Sequence, residues 1–209
     1  MGKLLGGIYG PTTGTTGNLT SYVLNGQNII RMRAHSRTRS SERQLDNEMR
    51  MKVISDFFFH MKPILKAGFG PAAKNTTKNY YNIAVSYNKK HALKGFYPNV
   101  EVDYPNVLLS DGDLLPAENP VAKRVSGGIE FTWDTDGFAW GNGADQVMVL
   151  AYFPESGRRE MFCYGARRME GREFLPLQDN QMEQPAETYI SFISPDRSEV
   201  ARSIYLGQV

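Results

Sequence analysis

The hydrophobic period of the chain changes twice, from two to roughly four and back to two, and the changes mark three regions. In the first, Tyr22, Val23 and Leu24 are followed by Asn25 and Gly26 and then by Ile29, Ile30 and Met32. An Asn-Gly pair supplies the positive φ angles of a two-residue turn, so the stretch predicts a β-hairpin running on to Arg33. A lone hairpin is marginal in water and needs another element, or another chain, to pack on. In the second region Leu45, Met49, Val53, Phe57 and Met61 recur every fourth residue, and Ile54, Phe58 and Leu65 widen the stripe. This predicts an amphipathic helix that starts at the capping pair Ser41 and Gln44, kinks or stops at Pro63 and is capped by Gly68. A second helix from about Thr77 to Lys94 follows, joined to the first through Gly70 and Pro71 as a helical hairpin. The run Phe57, Phe58, Phe59 is more than one helix face can bury, so one ring points at another element or another subunit.

The third region returns to strands. Val100, Val102 and Tyr104 alternate with Glu101 and Asp103 until Pro105, and Val107 to Ser110 is a candidate for the next strand. Ile129, Phe131 and Trp133 then alternate with Glu130 and Thr132, and Val147 to Phe153 is a nearly continuous apolar strand. Shorter strands follow at Met161–Tyr164, Arg172–Leu175, Thr188–Ile193 and Ser203–Leu206, the last two separated by a turn over Ser194 to Ser198. Strands at this spacing with an early Trp predict an immunoglobulin- or fibronectin-like β-sandwich, with a barrel as the competing architecture. The fold class is therefore α+β: an N-terminal β-hairpin and helical hairpin followed by a C-terminal sandwich. The expected divisions are a glycine-rich arm over 1–20, a hairpin plus two-helix basic domain over 21–105, and an acidic sandwich domain over 106–209.

Charge changes this picture more than composition does. The net charge of +2 is the sum of +11 over residues 1–100 and −9 over residues 101–209. Such a split signals interaction rather than fold. The basic half binds nucleic acid, or the halves attract within one molecule, or the basic half of one copy docks on the acidic half of the next. Arg31, Arg33, Arg37 and Arg39 form a basic arm ahead of the first helix, with no aromatic among them to stack on a base. Arg33, Arg37, Arg39, Phe57, Phe58 and Phe59 are the candidate interface residues. No apolar run approaches the ~20 residues of a membrane span, and no signal-peptide h-region is present. Cys163 stands alone. A cytoplasmic or particle-associated protein is expected.

Searches for chemistry give little. The glycines of residues 1–20 lack the Gly-Lys-Ser/Thr of a phosphate loop. Asp134, Asp136 and Gly137 open like a calcium loop but lack its twelfth-position Glu. His35, His60 and His91 are too scattered for a metal pair. No catalytic group, metal or cofactor is expected. Phe138 and Trp140, in a glycine-rich loop between strands, are a candidate binding loop for a sugar or a protein, although a loop aromatic folded back on the sandwich is the plainer reading.

Several short motifs carry a resemblance. They are the lead Met1, Gly2, Lys3 with its glycine repeats, the hairpin into Arg31, and the helix start Ser41 to Leu45. Further along are Ala67, Gly68, Phe69, then Asn82, Ala84, Tyr87, Asn88, then Gly95, Phe96, Tyr97, Pro98. Phe131 to Trp133, Tyr189 to Phe192 and Ser203 to Gly207 complete them. Together they resemble a Bacteroidota family that carries a domain-of-unknown-function label, and the helix start is similar to segments of phage structural proteins. The family resemblance implies no activity. The expected function is a non-enzymatic structural or assembly protein that forms a homo-oligomer, of the phage-like virion or particle kind. The alternative is a nucleic-acid- or carbohydrate-binding module.

Overall fold

The computed structural model describes residues 2–4, 10–24, 26–34, 40–74, 76–136 and 143–209. The chain forms two compact units, Met1–Ser41 and Glu42–Val209. The first is a four-stranded antiparallel sheet with strands in chain order: β1 (Lys3–Leu4), β2 (Thr12–Thr16), β3 (Leu19–Leu24) and β4 (Gln27–Met32). The expected hairpin is β3–β4, and Gly26 has the positive φ of +80° that the turn requires. The glycine-rich arm expected over residues 1–20 is not a separate element. Its threonines pair as β2 against β3, and β-branched residues suit a pleated surface.

The second unit starts with α1 (Glu42–Phe58), α2 (Lys62–Ala73) and α3 (Tyr80–His91). The single long helix expected to Gly68 is two helices. Pro63 sits in the first turn of α2, where a missing N–H breaks no helical bond. Gly68 is not a cap but a buried residue inside α2. A Cβ there would lie 2.2 Å from the Leu109 carbonyl oxygen and 2.6 Å from the Ser110 Cβ, so only glycine lets the segment 107–110 lie against this helix. Asn79 caps α3, its side chain accepting from the Tyr81 N–H at 3.1 Å. A small hairpin follows, β5 (Leu93–Phe96) with β6 (Asn99–Val102). Asp46 and Arg50 of α1 hold it: the Tyr97 N–H donates to Asp46 at 2.9 Å, and Arg50 donates to the Gly95 carbonyl at 2.7 Å.

Seven strands complete the unit: β7 (Val121–Val125), β8 (Gly128–Thr132), β9 (Gln146–Phe153), β10 (Arg158–Phe162), β11 (Arg172–Pro176), β12 (Glu187–Ile193) and β13 (Ile204–Gln208). They form two sheets with orders β11-β8-β7 and β10-β9-β12-β13. The first, second and fifth of the seven share one sheet and the rest the other. This is an immunoglobulin-type division in which the fourth strand pairs with the third. The sandwich core holds Ile129, Phe131 and Leu175 from one sheet and Val147, Val149, Phe153, Ile190 and Phe192 from the other.

The larger sheet is buried on its second face as well. Met148, Leu150 and Tyr189 join Ile54, Phe58, Leu65 and Phe69 of the helices in one core. The layers are thus helices, four-stranded sheet, three-stranded sheet. The division expected near residue 105 does not separate compact parts, and the division falls between residues 41 and 42. The continuous apolar run Val147 to Phe153 has this cause, since a strand covered on both faces has no polar side to alternate. Val107 to Ser110 is not a strand. It is a buried connector held by side chains: Asn88 accepts from the Leu108 N–H and donates to its carbonyl, both at 2.8 Å, and Ser203 Oγ accepts from the Leu109 N–H at 2.9 Å.

Candidate interaction surfaces

The register of the N-terminal sheet fixes what each face presents. Leu19 pairs with Met32, Ser21 with Ile30 and Leu4 with Thr12, and the Thr12 hydroxyl donates to Ser21 Oγ at 2.8 Å. One face therefore carries Leu4, Leu19, Val23, Ile30 and Met32, which are 59, 46, 53, 60 and 67% exposed. The other carries Tyr22, Leu24 and Ile29 with threonines, and the Arg31 guanidinium sits 5.6 Å from the Tyr22 ring centre. Ser21 is the sole buried residue among those described in this unit. The sequence of Met1–Ser41 holds five Lys or Arg and no Asp or Glu. It is an apolar-faced sheet in a purely cationic segment, with no buried apolar residue among those described.

The second surface runs along α3. Asn82, Ser86 and Lys90 stand four residues apart on one ridge, and Ile83, Tyr87 and His91 form the next. They line a groove of about 430 Å³ with Lys78 at its N-terminal end. Arg202 reaches Tyr87 from the distant end of the chain, donating to its hydroxyl at 2.9 Å. No acidic residue lines this groove. Between Asp56 and Glu101 the sequence holds seven lysines and no carboxylate. Among the described residues neither Lys78 nor Lys90 is in an ion pair. The helix N-terminus adds partial positive charge at the Lys78 end.

The remaining polar clusters are structural. Arg168 is buried with Asp145 at 3.3 Å, donates to the carbonyls of Leu115 and Pro116, and lies 3.8 Å from the Phe192 ring centre. Burial raises the Asp145 carboxyl pKa and lowers that of Arg168, and their pairing opposes both shifts. Trp133 is buried as expected and donates to the Arg168 carbonyl at 2.7 Å. Buried Glu187 accepts from the Tyr205 hydroxyl and from Gln208. Burial raises the Tyr189 and Tyr205 hydroxyls above the ordinary tyrosine value and pushes Tyr104 up to about 12. These are poor proton donors at neutral pH. A shallow depression lined by His60, Arg158, Arg159 and Glu160 brings no nucleophile together with a base. Among the described residues no group of three or more His, Cys, Asp or Glu is placed to hold a metal ion. No described helix is long and apolar enough to cross a membrane.

The expected interface residues are dispersed. Phe57 and Phe58 are buried in the monomer core, Phe57 packing edge-on against Tyr152 at 4.9 Å, so neither can meet another subunit. The apolar second face of the four-stranded sheet takes both rings. Phe59 is the ring left out: it is exposed, with Lys62 5.4 Å from its centre. Arg33 is exposed. Arg37, Arg39, Phe138 and Trp140 lie outside the described residues. The α3 groove is missing from the sequence reading. The spacing of Asn82, Ser86 and Lys90 was the available signal, and Arg202 had none.

The fold and surfaces define an α+β protein whose fibronectin-like sandwich is roofed by three helices and preceded in the chain by a small antiparallel sheet. The chain belongs to DUF6266, a family of unknown function, whose model matches residues 11–207. No curated protein and no solved structure matches it.

Proposed function

We propose that this is a non-enzymatic assembly protein that associates with copies of itself through the sheet of residues 1–41. The observation that carries the reading is the row of Leu4, Leu19, Val23, Ile30 and Met32, all exposed on one face of a sheet with no buried apolar side chain among the described residues. Covering each such side chain contributes about 1.5–3 kcal/mol, and a sheet this small needs that cover to be stable. A second copy is the occupant that charge favours. Residues 1–41 carry only cations, while residues 101–209 carry −9. Like faces would repel, so the contact joins unlike surfaces head to tail. Contacts of that kind close into rings or extend into filaments, which is the geometry of a particle component.

Sedimentation velocity of the full chain at low and high salt tests this. Species larger than one chain, loosening as salt screens the charges, are the expected result. A salt-insensitive monomer overturns the proposal.

A further inference from the structure

We infer that the groove along α3 binds the phosphate backbone of nucleic acid, independently of self-assembly. The groove is a track rather than a pocket. Lys78 stands at one end and Lys90 toward the other, with Asn82 and Ser86 between them, and Asn82 to Lys90 spans about 12 Å of helix. Tyr87 lines one wall, and Arg202 stands behind it, outside the lining, donating to its hydroxyl. Lys, Arg, Ser, Asn and Tyr are the side chains that contact phosphate oxygens in protein–nucleic-acid interfaces, and all five types are present here. A basic stripe on a helix is the electrostatic footprint of such binding.

Two features favour a phosphodiester chain over an acidic protein surface. The track is concave and linear, which suits a continuous string of charges better than scattered carboxylates. Its cations are also free: no described carboxylate pairs with Lys78 or Lys90, and Arg202 is engaged by Tyr87 alone among the described side chains. Tyr87 already contacts His91 and Arg202, so its ring is not offered as a stacking platform. The readout is therefore backbone charge without sequence preference.

The test is fluorescence anisotropy of the full chain with a labelled single-stranded 20-mer and its duplex. Three phosphate contacts give a slope of log K against log salt of about −2 for the single strand, so affinity falls roughly 20-fold between 50 and 200 mM salt. K78A/K90A/R202A weakens binding at least tenfold and flattens the slope, while K78R/K90R retains binding. Arg31→Ala with Arg33→Ala leaves the α3-dependent part unchanged. Circular dichroism confirms that the variants fold. The inference is overturned if the wild type shows no binding at 50 mM salt, or if the triple Ala variant binds like wild type. It is equally overturned if that variant loses only self-association, which would make the groove a protein-docking surface.

Discussion

Strands β3 and β12 have similar apolar content and opposite fates. Every residue of β12 is buried, whereas β3 buries only Ser21. The difference lies in what each sheet has on its faces. β12 stands between a helical layer and a second sheet that share its two cores, and β3 belongs to a unit whose described residues form one sheet. Apolar patterning specifies that a face will be covered. It does not specify whether the cover comes from the same chain.

The largest expected contrast comes from deleting side chains in each region. Phe58→Ala opens the core between α1 and the sheet and costs about 3–5 kcal/mol in urea denaturation. Ile30→Ala, on the exposed sheet, changes the unfolding of the second unit by less than about 0.5 kcal/mol. Equal losses would mean that the two regions do not differ as described.

Arg168→Met sharpens the same contrast inside the sandwich, because it leaves Asp145 buried without its partner. The cost is about 3–5 kcal/mol at neutral pH. Burial raises the Asp145 carboxyl already, and loss of the guanidinium raises it further. Between the unfolded value near 3.9 and the raised folded value, the folded state keeps a proton that the unfolded state releases. The variant's stability therefore falls as pH rises through that window, and the full deficit stands above it. A deficit that is constant between pH 4 and 7 contradicts the burial of this pair.

Gly68→Ala is smaller. On an open helix the change gains about 1 kcal/mol, but here the added methyl meets the Leu109 carbonyl and Ser110, so a loss of about 1–3 kcal/mol is expected. A stabilised variant would show that the connector over residues 107–110 does not lie on α2. The smallest effect belongs to the exposed turn before β13. Hydrogen bonds from the Ser194 and Ser198 hydroxyls and the Ser198 N–H hold the Asp196 carboxyl down to about 2. A depressed acid stabilises above its unfolded pKa and loses that contribution as pH falls through the folded one. An NMR titration of Asp196 with a midpoint near 4 would contradict this, and Asp196→Asn should remove the turn's share of the acid response between about 4 and 2.

Local order was legible where the signal was local. The β3–β4 hairpin, the start of α1 at Glu42, the strand Val147 to Phe153 and the buried Trp133 all follow from neighbouring residues. What could not be read was mutual cover. The rings of Phe57 and Phe58 looked surplus because the sheet face that takes them is supplied from β9 and β12, about a hundred residues away. Gly68 read as a cap because the backbone that requires it approaches from outside the helix. The α3 groove had a partial signal in the four-residue spacing of Asn82, Ser86 and Lys90, while Arg202 arrives only through the fold.

The central question is whether the N-terminal sheet is covered by another copy. Sedimentation equilibrium of the full chain beside L19S/I30S/M32S answers it most directly. Association by the wild type at low salt, with a monomer in the triple Ser variant whose second unit stays folded, is the result expected of an assembly protein. A wild type that remains a single chain at every concentration and salt, or a triple Ser variant that assembles as the wild type does, contradicts it.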